Sequence, residues 1–133
     1  MYKVDTNGIK LQNSDAIKKL PGDIQKVIQS VKDKKAFDVV VLFLGDSQAF
    51  TDYFILCSST NVRQSRAIVD EVRSKLVSSN DRIAKIEGYD HGEWVTMDFF
   101  DFVVHVFTPK TRNFYDLERL WGSASRITEE SSV

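Results

Sequence analysis

The chain has 133 residues, which corresponds to a single domain of ordinary size. Its 18 basic and 19 acidic residues give a net charge of −1, which argues against a general nucleic-acid-binding protein, because affinity for phosphate comes mainly from lysine and arginine. The single cysteine excludes an internal disulfide framework, and the longest apolar run, residues 39–44, is too short to span a bilayer. The N-terminal residues lack the apolar core of a signal peptide, so we expect a cytoplasmic protein.

The charges are distributed unevenly along the chain. Residues 1–35 contain eight lysines and four aspartates, a net charge of +4. The segment 86–107 has no lysine or arginine, and it contains five acids: Glu87, Asp90, Glu93, Asp98 and Asp101. A solvated acidic edge and a face for a basic partner both explain this segment.

The first third of the chain predicts an arm, a helix and a strand. Residues 1–20 are predicted to form an N-terminal arm, with at most one helical turn over 14–20. Pro21 and Asp23 favour a helix start, and apolar residues at 24, 27, 28 and 31 predict an amphipathic helix to about residue 35. The apolar run 39–44 then predicts a strand covered on both faces.

The middle of the chain predicts a second strand, a long helix and a third strand. Residues 52–57 form another apolar strand, and the polar residues 58–61 offer helix caps. A helical stripe from Val62 to Leu76 follows, and it ends near residues 78–81. Residues 82–87 are predicted to form a short strand.

Two antiparallel strands are predicted next, over 93–98 and 102–107. A loop centred between Phe99 and Phe100 places Trp94 opposite His105 and Asp98 opposite Asp101. Alternation then puts six residues on one face of the sheet: Trp94, Thr96, Asp98, Asp101, Val103 and His105. The other face is expected to be core: Val95, Met97, Phe102, Val104 and Val106.

The last predicted helix covers residues 112–121, and residues 122–133 are predicted to be a flexible tail. Within this helix, Phe114, Leu117 and Leu120 are expected in the core, whereas Tyr115 and Trp121 can anchor an interface. The element order α-β-β-α-β-β-β-α predicts one α/β domain over 21–121, with a mixed five-stranded sheet and helices packed on its faces.

Few residues indicate a reaction centre. The glycines form no phosphate-binding motif, and Cys57 lies in an apolar strand, where a buried structural thiol is expected. We expect His91 to be solvated and His105 to be a hydrogen-bond partner of an acid or of Trp94. Trp94 itself is either an interface anchor or covered by a helix of the same chain. We predict no catalytic residue, no metal site and no cofactor.

Several blocks in order along residues 22–121 are similar to a known family. The most specific are Trp94-Val95-x-x-Asp98, Val104-His105-Val106-Phe107 and Tyr115-Asp116-Leu117-Glu118-Arg119-Leu120-Trp121. They resemble the Iojap family, the ribosomal silencing factors (RsfS). Two departures are Ser59 and Phe100, which stand where glycine is usual, so Phe100 puts the tight turn between the two strands in question.

The resemblance implies a nucleotidyltransferase-like fold without catalysis, because the Gly-Ser and Asp-x-Asp pattern of those enzymes is absent. It implies binding to the large ribosomal subunit through large-subunit ribosomal protein fourteen, a block on subunit joining and repression of translation. Alternatives are a large-subunit assembly factor, or a divergent nucleotidyltransferase with Mg²⁺ at Asp98 and Asp101. Some family members form homodimers, and a homodimer through the same surface is a further alternative.

We predict that this partner is bound by an acidic and aromatic surface, which complements a basic ribosomal protein. The expected contact residues are Trp94, Asp98, Asp101, Tyr115, Glu118 and Trp121. His105, Leu117 and Arg112 are expected to support that surface from behind. The lysine-rich residues 1–35 are expected to make a peripheral contact with ribosomal RNA.

Overall fold

The computed structural model describes residues 14–45, 51–80, 84–120 and 125–128. The predicted arm up to residue 13 lies outside these ranges. The helices are α1 (Ser14–Lys18), α2 (Gly22–Asp33), α3 (Val62–Asn80), α4 (Pro109–Tyr115) and α5 (Leu117–Leu120). The strands are β1 (Phe37–Phe43), β2 (Tyr53–Ser58), β3 (Lys85–Glu87), β4 (Trp94–Asp98), β5 (Phe102–Phe107) and β6 (Ser125–Thr128).

The strands form one mixed sheet in the order β3-β4-β5-β2-β1-β6. β2 and β5 run parallel, and the other neighbouring strands are antiparallel. The predicted α/β class with a mixed sheet is confirmed, and the five predicted strands are all present. The additional strand β6 pairs with β1 inside the segment 122–133, which was predicted to be a flexible tail.

Both faces of the central strands are covered, as their continuous apolar sequences predict. On one face, α2 and α3 pack against β2, β4 and β5 through residues such as Ile24, Ile68 and Val104. On the other face, Leu42, Leu56 and Phe107 form a second, smaller cluster. Cys57 is fully buried, and this burial raises the pKa of its thiol to about 12, which confirms the predicted structural role.

The β4–β5 hairpin has the predicted faces but a different register. Trp94 pairs with Phe107 and Asp98 with Val103, so the predicted Asp98–Asp101 pair is wrong. The turn is centred between Phe100 and Asp101, because Phe99 is buried and stacks on Phe102 with 4.8 Å between ring centroids. Two residues of offset preserve the alternation, which is why the faces remain correct.

The helix predicted over 112–121 is wrong in its limits and in its continuity. It begins earlier, with Pro109 in the first turn, where a missing N–H costs nothing. It is interrupted at Asp116, which has a left-handed backbone with a φ of 47°. The change of direction exposes Phe114 and Leu120, by 79% and 72%, so their predicted place in the core is also wrong.

Of the helices in the described ranges, none is both long and apolar enough to cross a membrane.

The polar residues before α3 cap the helix as predicted, because the side chain of Asn61 accepts a hydrogen bond from the backbone N–H of Gln64 at 2.8 Å. Gln64 in turn donates to the carbonyl oxygens of Lys34 and Lys35, which joins the start of α3 to the residues after α2.

Candidate contact surface

Aromatic rings from three elements meet at the start of β4. Trp94 is half-buried and stacks on Phe107 of β5, with 5.1 Å between ring centroids. Tyr115 at the end of α4 lies over Trp94, with 4.6 Å between centroids. The prediction that a helix of the same chain covers Trp94 is confirmed, because Tyr115 of α4 packs on it. The coverage is partial, and Trp94 remains partly exposed.

His105 holds the indole in place from within the sheet. The Nε1–H of Trp94 donates to Nδ1 of His105 at 3.1 Å, so of the two predicted partners, an acid or Trp94, the structure shows Trp94. The neutral imidazole therefore carries its proton on Nε2, which has no hydrogen-bond partner among the described residues. His105 is 6% exposed, and this burial lowers its pKa from 6.5 to about 4. His105 is neutral at pH 7 and acts as a structural acceptor.

An exposed apolar patch adjoins this ring cluster. Phe114 is 79% exposed, and its ring meets Tyr115 edge-on at 5.0 Å between centroids. Beside them lies a shallow groove of about 400 Å³, lined by Glu93, Lys110, Thr111, Asn113, Phe114 and Tyr115. Adjoining exposed aromatic side chains beside a groove are typical of a protein-binding surface. We call the groove and the rings of Trp94, Phe114 and Tyr115 the aromatic groove.

A strip of the sheet extends from the aromatic groove to the hairpin turn. Trp94, Thr96 and Asp98 alternate along β4 on this face, and each is partly exposed, whereas Val95 and Met97 between them are buried. The distance from Trp94 to Asp98 along the strand is about 13 Å. We call these three residues the β4 strip.

Two of the three acidic residues predicted to bind the partner, Asp98 and Asp101, lie at the far end of the β4 strip. The carboxylate of Asp98 accepts a hydrogen bond from the backbone N–H of Phe100 at 2.8 Å. Asp101 is exposed in the turn, and its carbonyl oxygen accepts from the N–H of Asp52 at 3.0 Å. Among the described residues, no group of three or more histidines, cysteines, aspartates or glutamates is arranged so that it could hold a metal ion.

The remaining predicted residues occupy different positions. Glu118 is paired with Arg112 of the same chain, at 3.0 Å between Oε1 and Nε. Leu117 packs against the smaller hydrophobic cluster, which agrees with a supporting role. Trp121 lies outside the described residues.

Sequence reasoning missed Phe114, Lys110 and the groove between them. The missing information was the interruption at Asp116, which turns the end of α4 outward. A signal was present, since aspartate adopts the left-handed region more readily than most residues. The pattern of apolar spacing across 114–120 concealed it.

The fold and this surface together define the class of protein: a small α/β protein with a mixed sheet that presents an aromatic groove and a partly exposed strip of one strand. A family model described as "Ribosomal silencing factor during starvation" matches residues 17–133. The chain belongs to this family, and the resemblance found in the sequence is confirmed.

Individual relatives agree with this assignment. A ribosomal silencing factor RsfS from Halalkalibacterium halodurans is 34% identical over 110 residues, which cover 83% of this chain and 94% of that protein. The mouse protein "Mitochondrial assembly of ribosomal large subunit protein 1" is 33% identical over 102 residues, covering 74% of this chain and 45% of the relative. A crystal structure of a Chromobacterium violaceum protein superposes with a TM-score of 0.72 at 30% identity, covering 84% of this chain and 88% of that one.

Proposed function

We propose that the protein binds the large ribosomal subunit and represses translation by preventing the small subunit from joining. The names of the relatives support this proposal, since they describe ribosomal silencing and assembly of the large subunit. The protein acts by occupying a surface, as a binding protein and not as an enzyme.

The observation that carries the proposal is the aromatic groove. Phe114 and Tyr115 are exposed by 79% and 51%, although burial of such rings within the same chain is favourable by about 1.5–3 kcal/mol each. Trp94 stands beside them, and its Nε1–H is hydrogen-bonded to His105. Aromatic anchors that are rigid before binding lose little side-chain entropy in a complex, and they are typical centres of protein interfaces.

The acidic charge of the β4 strip and its turn favours a basic partner, whereas the aromatic groove itself is lined by one acid, Glu93, and one base, Lys110. Glu93 is exposed at the groove, and Asp98 and Asp101 border the far end of the β4 strip. Large-subunit ribosomal protein fourteen is our proposed partner, because the family resemblance implies it and because ribosomal proteins are generally basic. Complementary charge increases the association rate and fixes the orientation of the two surfaces.

A second, weaker contact is proposed for the helical side of the molecule. α2 buries its apolar side against the sheet face opposite the aromatic groove. Exposed lysines in and after α1 and α2 are Lys18, Lys19, Lys26, Lys32, Lys34 and Lys35. We propose that they approach ribosomal RNA, which makes the affinity for the subunit fall with increasing salt concentration.

The binding proposal is tested by co-sedimentation of the protein with purified large subunits, using two matched variants. Asp98→Asn removes a charge on the β4 strip and keeps the amide oxygen as an acceptor for Phe100. Asp70→Asn makes the same change on α3, where Asp70 accepts from the hydroxyl of Tyr89 at 2.9 Å and lies outside both proposed contacts. We expect Asp98→Asn to weaken binding several-fold and Asp70→Asn to have no effect.

Equal affinities for Asp98→Asn and the unchanged protein would remove the β4 strip from the proposed surface. Failure of the unchanged protein to sediment with the large subunit would refute the function itself.

Participation in assembly of the large subunit is a second candidate, and the name of the mouse relative supports it. The same surface serves both functions, because each requires binding to the large subunit. Depletion of the protein in its host distinguishes them: an assembly factor leaves incomplete large subunits, whereas a silencing factor leaves normal subunits and excess translation in starved cells.

A further inference from the structure

Arg112 is an almost completely buried cation between the sheet and the last helices. It is 8% exposed, and its Nη1 donates to the carbonyl oxygen of Asp38 at 2.7 Å and to Oγ of Ser58 at 2.9 Å. Its Nε donates to Oε1 of Glu118 at 3.0 Å. One side chain on α4 thus binds the start of β1, the end of β2 and the helix α5.

The Arg112–Glu118 pair crosses the interruption between α4 and α5. The two helices have seven and four residues, and Asp116 between them has a left-handed backbone. Helices of this length are not stable alone in water, so their position depends on contacts with the rest of the protein. A buried guanidinium also requires hydrogen-bond acceptors for its N–H groups, because a buried charged donor without a partner is strongly unfavourable.

Both exposed rings of the aromatic groove belong to the same short helix. Phe114 and Tyr115 follow Arg112 by two and three residues, and the ring of Tyr115 contacts Trp94 on the sheet. Their direction is therefore set where Arg112 fixes α4 to β1 and β2. Glu118 has a side-chain exposure of 23%, and its Oε1 is directed to Arg112.

We propose that Arg112 and Glu118 are positioning residues for the partner-binding surface. Together they form an intramolecular latch that holds α4 against the sheet, so that Phe114 and Tyr115 project beside Trp94. Glu118 acts through Arg112 and does not contact the partner. The inference rests on the proposed function, because it assigns these two residues a role in binding the large subunit.

The test compares two substitutions at position 118. Glu118→Gln keeps an oxygen that accepts from Nε of Arg112, whereas Glu118→Ala removes it. The matched control is Glu71→Ala on α3, because Glu71 pairs with Lys75 at 3.5 Å and has a similar side-chain exposure of 21%. Binding to purified large subunits is measured by co-sedimentation, and the melting temperature of each variant confirms that it is folded.

We expect Glu118→Ala to weaken binding at least tenfold, while Glu118→Gln and Glu71→Ala stay within about threefold of the unchanged protein. Arg112→Lys keeps the charge but loses the planar fork, so it should weaken binding as Glu118→Ala does. The double variant with Arg112→Lys and Glu118→Ala should bind no more weakly than either single variant, since each substitution alone already breaks the same latch. Equal losses for Glu118→Gln and Glu118→Ala, or additive losses in the double variant, would mean direct contact with the partner and would overturn the proposal.

A ribosome-independent measurement reports the latch itself. Trp94 and Trp121 are the two tryptophans, so Trp121→Phe leaves Trp94 as the sole indole emitter. In this background we expect Glu118→Ala to shift the emission of Trp94, because Tyr115 withdraws from it, and Glu118→Gln to leave the emission unchanged. An unchanged spectrum for Glu118→Ala would overturn the latch. If the unchanged protein fails to bind the large subunit, the proposed function fails, and the spectrum still decides whether the latch exists.

Discussion

Burial of His105 should make the folded state sensitive to mild acid. The pKa of His105 is lowered from 6.5 to about 4 in the folded protein, because desolvation disfavours its charged form. The unfolded chain therefore binds this proton at a higher pH than the folded chain does. The contribution to stability is complete above pH 6.5, and it decreases as the pH falls from 6.5 towards 4.

The size of this effect follows from the two pKa values. A gap from 6.5 to about 4 corresponds to about 3 kcal/mol when fully expressed. Between pH 7 and pH 5 the loss amounts to about 2 kcal/mol, or about 6 °C in melting temperature for a chain of this length. In the folded protein His105 is protonated only near pH 4; this removes the acceptor for the Nε1–H of Trp94, so the indole should loosen there.

The assay is urea unfolding at pH 7 and pH 5 of the unchanged protein and of His105→Asn. Asparagine does not titrate, and its side-chain oxygen can accept from Trp94 in place of Nδ1. Its smaller volume lowers the stability at both pH values, so the comparison uses the difference between them. We expect His105→Asn to lose about 2 kcal/mol less than the unchanged protein on going to pH 5. Equal losses in the two proteins would refute the assignment of acid sensitivity to His105.

Three further substitutions test the geometry of the surface and of the turns. Phe114→Ala should change the free energy of unfolding by less than about 0.5 kcal/mol, because the ring is exposed. The same substitution should weaken binding to large subunits at least tenfold. A large loss of melting temperature would instead place the ring in the core. Phe100→Gly should leave the melting temperature unchanged or raise it, because glycine adopts the φ of 82° freely and the exposed ring contributes little packing; destabilisation would contradict this. Gly92→Ala should destabilise the fold by about 2 kcal/mol in urea unfolding, since its φ is 76° and a Cβ there lies 2.8 Å from Cβ of Val62; unchanged stability would show that the loop adapts.

Local sequence pattern was sufficient for most of the fold. The alternation in β4 predicted which side chains enter the core, and the two-residue error in register did not affect that result. An imidazole inside a strand requires a polar partner, so the sequence predicted an acid or Trp94 for His105, and the structure shows Trp94.

The sequence pattern did not predict the break in the last helix or strand β6, because both depend on contacts between residues that are distant in sequence. The apolar spacing of Phe114, Leu117 and Leu120 fits one helix, but Asp116 adopts a left-handed backbone and only Leu117 packs inward. Strand β6 has only four residues, too few for a clear alternation, and its position is defined by antiparallel pairing with the edge of β1.

The assignment of charged site residues shows the same limit. Glu118 lies in an exposed-looking, polar stretch of sequence, and nothing local reveals that Arg112 pairs with it. That pairing depends on Asp38 and Ser58, which are 74 and 54 residues away from Arg112 and which fix the guanidinium beneath the helices. Exposure of an aromatic residue such as Tyr115 was, by contrast, predictable from its polar tip.

The most direct test of the central claim is a reassociation experiment in a sucrose gradient. Purified large subunits are incubated with the protein, small subunits are added at a magnesium concentration that favours joining, and the fraction of whole ribosomes is measured. We predict that the protein travels with the large subunit and reduces the whole-ribosome peak, and that Phe114→Ala restores the peak. A full whole-ribosome peak in the presence of saturating, subunit-bound protein would contradict the account.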